Sequence, residues 1–192
     1  MPLDRFTKKV SEMAPLLLGK ILLRRLRGDW IGGMICETEA YSQEEPASHC
    51  HRGQNSRNAS MFAEPGTIYV YRSYGVHWCL NIKCGVKGYG EGVLIRALKP
   101  MFGIDHMRHL RLMTDQDESM LCNGPGKLCQ AMGIDGRLDG KLIGSGELFL
   151  FESCDRKPPV VTGRRIGISR GLDLMWRFGL KQHPCLSRPF KD

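Results

Sequence analysis

Thr67-Ile-Tyr-Val-Tyr-Arg-Ser-Tyr-Gly-Val-His-Trp-Cys-Leu-Asn-Ile-Lys83 is the stretch that decides the fold. Residues 67 to 73 alternate, which places Thr67, Tyr69, Tyr71 and Ser73 on one face of a strand. Tyr74-Gly75 breaks the alternation, and Val76 to Lys83 resumes it. The stretch therefore reads as a hairpin or a sharply bent strand. After the turn Gly88-Tyr-Gly-Glu-Gly92, Val93 to Leu98 reads as the next strand. Helices are expected over 101–113 and over 125–132, the second opened by Gly124-Pro125 and closed by Gly133. Further strands are expected at 147–151, 165–168 and 176–180.

Upstream, residues 42–66 are polar and rich in Asn, Ser, Gly and Pro, so they read as a long loop of the kind that carries function. Trp30 to Tyr41 reads as a strand leading into a site. Residues 11–26 read first as an apolar helix with Pro15 near its start, the later part being a candidate strand. Runs of strands with helices set apart imply an α+β fold. The expectation is one compact domain over residues 1–192, with a curved antiparallel β-sheet and peripheral helices.

The chain has 192 residues, 42% hydrophobic and 25% charged, as in ordinary globular proteins. The excess of 28 Lys and Arg over 20 Asp and Glu leaves +8. That favours a polyanionic partner, either nucleic acid or an acidic membrane surface. No run is long enough to span a bilayer, and no secretory signal is expected at Met1 to Lys9. The eight cysteines (36, 50, 79, 84, 122, 129, 154 and 185) are irregularly spaced and contain no Cys-x-x-Cys pair. They read as free thiols of a reducing compartment and not as a disulfide framework or a zinc site.

Several residue groups could carry chemistry. Glu37 and Glu39 share a face if their segment is a strand. They are either a pair at the solvent edge or a general base at the mouth of a pocket. His49, Cys50 and His51 lack further ligands at metal spacing, so a histidine that bonds or stacks on a ligand is favoured over a metal centre. Tyr69, Tyr71, Tyr74 and Trp78 are core packing or a stacking surface for bases. Tyr74, at the turn, is placed to act as a wedge in DNA. Arg96 lies within an apolar strand, where a charge pairs with a carboxylate or faces a ligand. Asn123-Gly-Pro-Gly-Lys127 is a phosphate-binding or a plain helix start, and it lacks nucleotide-loop spacing. Arg24, Arg25, Arg27, Arg164, Arg165 and Arg170 are solvated charges or phosphate contacts.

Seven runs, taken together, resemble one family. They are Leu18-Gly-Lys-Ile-Leu22, Glu37-Thr-Glu-Ala-Tyr41, Met61-Phe-Ala-Glu-Pro-Gly-Thr-Ile-Tyr-Val-Tyr71, Tyr74-Gly75, Asn81-Ile82, Val93-Leu-Ile-Arg-Ala-Leu98 and Gly124-Pro-Gly-Lys-Leu-Cys-Gln-Ala131. The family is that of the alkyladenine (3-methyladenine) DNA glycosylases. The resemblance implies excision of 3-methyladenine, 7-methylguanine, hypoxanthine or ethenoadenine from double-stranded DNA, leaving an abasic site. It implies that Glu39 activates the water and that Arg96 helps to hold it. Tyr41 would stack on one face of the flipped base, and His49 and Tyr71 on the other. Asn81 would disfavour the amino group of normal guanine. Tyr74 would fill the gap in the duplex beside Val76, where vertebrate members carry methionine, and Arg57 and Lys127 would touch DNA. It further implies no cofactor and no metal, a monomer, no membrane, and an intracellular site, nuclear in a eukaryote and cytoplasmic in a bacterium. Residues 52–56 depart from the usual bacterial Arg-Gly-Arg-Thr-Pro. The rivals are an RNA-binding module like that of formyltransferases, and a metalloprotein built on His49, Cys50 and His51.

Overall fold

In the computed structural model, the described residues are 6–114, 117–153 and 159–190. The hairpin is present as β3 (Ile68–Ser73) and β4 (His77–Lys83), paired from Ile68↔Ile82 to Ser73↔His77. Six further strands complete an antiparallel sheet: β1 (Ile21–Leu26), β2 (Asp29–Ser42), β5 (Glu91–Phe102), β6 (Leu148–Phe151), β7 (Val160–Gly163) and β8 (Arg177–Leu180). The strand order is β3-β4-β5-β2-β1-β6, with β8 pairing β2 and β7. The sheet curls into a half-barrel, and three helices pack around it in an α+β arrangement.

β2 is the organising strand. Its first half pairs with β1, from Ile21↔Met34 to Leu26↔Asp29, and β5 runs along its other edge. Past Ile35 its partner on the β1 side changes, and β8 pairs with Glu37 to Glu39. The register with β5 shifts on both sides of Glu37, a bulge that re-aims side chains. Gly33 permits close approach of β5, since a Cβ there would lie 1.9 Å from the Lys99 carbonyl oxygen.

Helix α1 (Val10–Leu17) buries Val10, Met13, Ala14 and Leu17, the spacing of a single apolar stripe. It packs on β2 and β5. Its large apolar side chains each contribute roughly 1.5–3 kcal/mol of burial. Helices α2 (Ile104–Arg111) and α3 (Pro125–Ala131) pack together, and α3 lies on β4 and β5.

Four local expectations change. Pro15 lies inside α1 rather than near its start, because the helix begins at Val10, whose amide is held by Glu91 Oε2 at 2.9 Å. The later part of 11–26 is the strand β1, as expected. The helix expected from 101 starts at Ile104, because β5 continues to Phe102 and Gly103 turns the chain at φ +65°. Residues 165–168 are not a strand. Their alternation is real, but the Ile166 backbone N–H serves the Glu39 side chain instead of a ladder. β7 lies where the sequence reading places no strand. Seven cysteines are free and buried, and Cys154 lies outside the described residues. Among the described residues, no helix is long and apolar enough to cross a membrane.

Candidate active site

Glu37 and Glu39 are both fully buried, so they are not a pair at the solvent edge. Buried carboxylates must be paired and hydrogen-bonded, and these are. Arg96 on β5 donates from Nε to Glu37 Oε1 at 3.0 Å and from Nη1 to Glu39 Oε2 at 3.1 Å. Glu39 accepts two further bonds, from the Tyr41 hydroxyl to Oε2 at 2.8 Å and from the Ile166 backbone N–H to Oε1 at 2.7 Å. A carboxylate offers about four acceptor positions. Among the described residues three are used, and the second position on Oε1 remains.

Burial pushes the Glu39 carboxyl above the usual carboxylate range, against the pull of Arg96, Ile166 and Tyr41. A group held in that way is suited to taking a proton. Glu37 accepts from Arg96, from Arg177 Nε at 2.7 Å and from Ser187, whose N–H and hydroxyl donate at 2.6 and 2.7 Å.

Tyr69, Asn81, Leu94 and Glu39 are successive cross-strand partners on β3, β4, β5 and β2, and therefore share one face of the sheet. A cavity of about 710 Å³ opens over this row, walled by Tyr41, Tyr71, His49, Asn81, Arg96 and Ile166 among others. That size lies within the ~300–1,000 Å³ range of small-molecule pockets. Glu39 is not itself in the wall. It sits behind Tyr41, Arg96 and Ile166, the three groups that hold it.

The pocket is rich in aromatic rings. His49 meets Tyr71 edge to face at 4.5 Å between ring centres, and its Nδ1 lies 3.1 Å from the Tyr69 hydroxyl. Tyr69 stacks on Tyr71 at 5.4 Å. Burial and the nearby Arg57 push the His49 imidazole below its usual pKa, so it is neutral at pH 7. Burial also keeps the Tyr41, Tyr69 and Tyr71 phenols protonated. Asn81 is buried and donates to the Tyr69 carbonyl at 3.3 Å.

At the hairpin tip Tyr74 and Gly75 both take positive φ, 51° and 69°. This conformation is uncommon for a tyrosine. It leaves the Tyr74 side chain 87% exposed and Val76 66% exposed. Around the rim stand Arg57, 5.6 Å over the Tyr71 ring, and Lys127, bonded to Asn123 Oδ1 at 2.8 Å.

The model of the family Methylpurine-DNA glycosylase (MPG) matches residues 4–184. The chain belongs to the methylpurine-DNA glycosylase family. A relative from Nitrosospira multiformis, named "Putative 3-methyladenine DNA glycosylase", is 47% identical over 97% of this chain and 93% of its own. Relatives of the same name from Nitrobacter winogradskyi and Rhodopseudomonas palustris are 46% and 45% identical, over 100% and 99% of this chain and 89% and 92% of theirs. The protein is thus a DNA glycosylase of DNA repair, a hydrolase of N-glycosyl bonds.

In this glycosylase, Tyr41, His49, Tyr71, Asn81, Tyr74, Arg57, Lys127 and Arg96 all border one cavity. Glu39 lies directly behind it, and Val76 stands beside Tyr74 on the tip. The His49-Cys50-His51 knot does not converge on a point. His49 turns to Tyr69, His51 Nδ1 donates to the Gln43 carbonyl at 3.2 Å, and Cys50 packs with Met61 and Phe62. Among the described residues, no cluster of three or more His, Cys, Asp or Glu suits a metal ion.

Two of the arginines read as surface charges are buried. Arg24 bonds Glu147 and the Met132 and Gly133 carbonyls. Arg165 grips both oxygens of Glu45 at 2.6 and 2.8 Å and lies 4.7 Å from the Tyr41 ring centre. Ile166 and Ser187 are the site residues that the sequence reading does not name; they act through a backbone amide and a hydroxyl far along the chain from Glu39 and Glu37, for which the sequence holds no local signal.

Proposed function

We propose that the chain is one glycosylase domain, acting as a monomer inside the cell. It would bind duplex DNA containing an alkylated or deaminated purine, such as 3-methyladenine, 7-methylguanine, hypoxanthine or ethenoadenine, and rotate that base into the cavity. There it hydrolyses the N-glycosidic bond, with Glu39 as the general base. The observation that carries this is the buried Glu39 held by Arg96, Tyr41 and the Ile166 amide just behind an aromatic pocket, with one acceptor position of Oε1 unused.

A base cannot reach a pocket while it is stacked in a duplex, so it must be extruded, at a cost of a few kcal/mol that is lower for damaged bases. An N-alkylated purine is cationic and a good leaving group. It is favoured by the π faces of Tyr41 and Tyr71 and is not repelled by neutral His49. The free position of Oε1 suits a water directed at C1′. Glu39 takes its proton, and its negative charge stabilises the developing oxocarbenium ion. Among the described residues, the lysine that lines the cavity is Lys127, bound to Asn123. Direct hydrolysis is favoured over a Schiff base and strand cleavage.

The test uses a duplex with a single ethenoadenine or hypoxanthine, incubated with protein in EDTA and then treated with alkali. Strand breaks are expected only after alkali. An intact lesion strand, or breaks without alkali, would count against the proposal.

Two outcomes follow. Glu39 must be ionised to act as a base, and burial raises its pKa above the ordinary 4.5. Single-turnover excision should therefore fall as pH drops through that raised value, with the acid limb above 4.5. A limb at or below 4.5 would contradict the assignment. The second concerns Tyr74. A stacked aromatic contributes about 1–3 kcal/mol, so Tyr74→Ala should slow excision on the order of tenfold. Its thermal midpoint should stay at the wild-type value, because the ring is exposed. Unchanged excision would remove Tyr74 from the DNA contact.

A further inference from the structure

Arg96 is held at every nitrogen. Nε donates to Glu37 at 3.0 Å, Nη1 to Glu39 at 3.1 Å, and Nη2 to the Ser187 hydroxyl at 3.3 Å. Ser187 lies beyond the residues that the family model matches, which end at 184. It belongs to a C-terminal segment that crosses back over the sheet and has a built seat. Phe190 fits over Gly163 and Gly179, where a Cβ would come within 2.9 and 2.5 Å of its ring. The Arg177 guanidinium covers the Phe190 ring at 3.9 Å and donates to the Arg188 and Pro189 carbonyls. The segment thereby delivers both donors of Ser187 to Glu37, and the same hydroxyl accepts from Arg96.

We propose that Ser187 is a positioning residue for the hydrolysis, fixing the guanidinium plane of Arg96 and so the edge that Arg96 presents to Glu39. This rests on the reading of Glu39 as the base. Glu37 gains its meaning here. It is a buried anion with four donors, anchoring the far side of Arg96 while Glu39 keeps the near side.

Without the hydroxyl, Nη2 has no acceptor among the described residues and Glu37 loses a donor. Arg96 is then drawn toward Glu37 and away from Glu39. Other groups act on Glu39 from every side. These are Glu37 and Tyr41 on β2, Tyr71 on β3, Cys79 on β4, Arg96 on β5 and Arg165 with the Ile166 amide on the loop between β7 and β8. Loss of Arg96's share moves the Glu39 carboxyl further up.

The experiment compares Ser187→Ala and Ser187→Thr with the wild type on an ethenoadenine duplex. It measures single-turnover rate against pH, duplex affinity, and folded fraction by circular dichroism. A small misplacement near reacting groups costs about ten- to a hundredfold in rate. For Ser187→Ala the expectation is a rate about tenfold lower, an acid limb moved to higher pH, and unchanged duplex affinity. Ser187→Thr should recover both rate and limb. The proposal is overturned if Ser187→Ala keeps the wild-type rate and limb. It is also overturned if the threonine variant is as slow as the alanine variant, or if the lost rate tracks lost folded protein. A Glu39→Gln control separates the two ideas. Activity retained in that control brings down the reading of Glu39 itself, whereas an inactive control beside a normal Ser187→Ala protein brings down only the role of Ser187.

Discussion

Glu39→Gln is expected to abolish measurable excision, with a fall of about 10²–10⁴-fold, the usual contribution of a general base. The amide has the size of the carboxylate but cannot take a proton and carries no charge to set against a developing oxocarbenium ion. It also fits its cradle poorly. Three donors converge on Glu39, from Arg96, Tyr41 and Ile166, and an amide nitrogen must face at least one of them. A modest loss of stability is therefore expected as well. The rate should be read on folded protein, with duplex binding measured alongside. Binding near wild type with excision lost supports the assignment. Excision within a few-fold of wild type would transfer the chemistry to another group.

The second large effect is structural. Arg165→Met should lower stability by about 3–5 kcal/mol, the cost of stranding one partner of a buried pair. Arg165 is gripped by Glu45, whose side chain is 5% exposed, and bonds the Ala40 and Gly171 carbonyls at 3.0 and 3.2 Å. It joins the end of β2, the loop after it and the loop that carries Ile166. Its guanidinium also lies over the Tyr41 and Trp176 rings. The loss should appear as a fall in thermal midpoint on the order of 10 °C, with slower excision because Tyr41 and Ile166 lose a shared support. The double variant Glu45→Gln/Arg165→Met should recover part of the stability, since no uncompensated charge is then left buried. A double variant no more stable than Arg165→Met would show that the pair's charges are not what matters.

The hairpin was legible because a strand writes its period directly into the sequence. Tyr69 and Tyr71 alternate with Val70, and Tyr74-Gly75 stops the pattern where the chain turns. Strand β5 and helix α3 followed from the same local rules. The Glu37-Glu39 pair was not legible from its neighbours. Its burial depends on Arg96, 59 residues from Glu37, on Arg177, 140 residues away, and on Ser187, 150 residues away. Read locally, two carboxylates near a strand end look like a solvent edge. Only the resemblance separated Glu39 from Glu37.

Arg165 shows the same limit, because its partner Glu45 lies 120 positions earlier. Residues 165–168 show a subtler one. Their alternation reads as a strand, yet the Ile166 amide that a ladder would use is taken by Glu39. Local pattern reports periodicity, and it does not report which acceptor a backbone donor will find.

The assignment of Glu39 is tested most directly by a crystal structure of the Glu39→Gln protein bound to a duplex containing ethenoadenine. The expected result has the base between Tyr41 and the Tyr71–His49 pair, Tyr74 in the duplex gap, and a water within about 3 Å of both the residue-39 side chain and C1′. A flipped nucleotide whose C1′ is cut off from residue 39 by the Tyr41–Arg96–Ile166 wall, with no water between them, would contradict it.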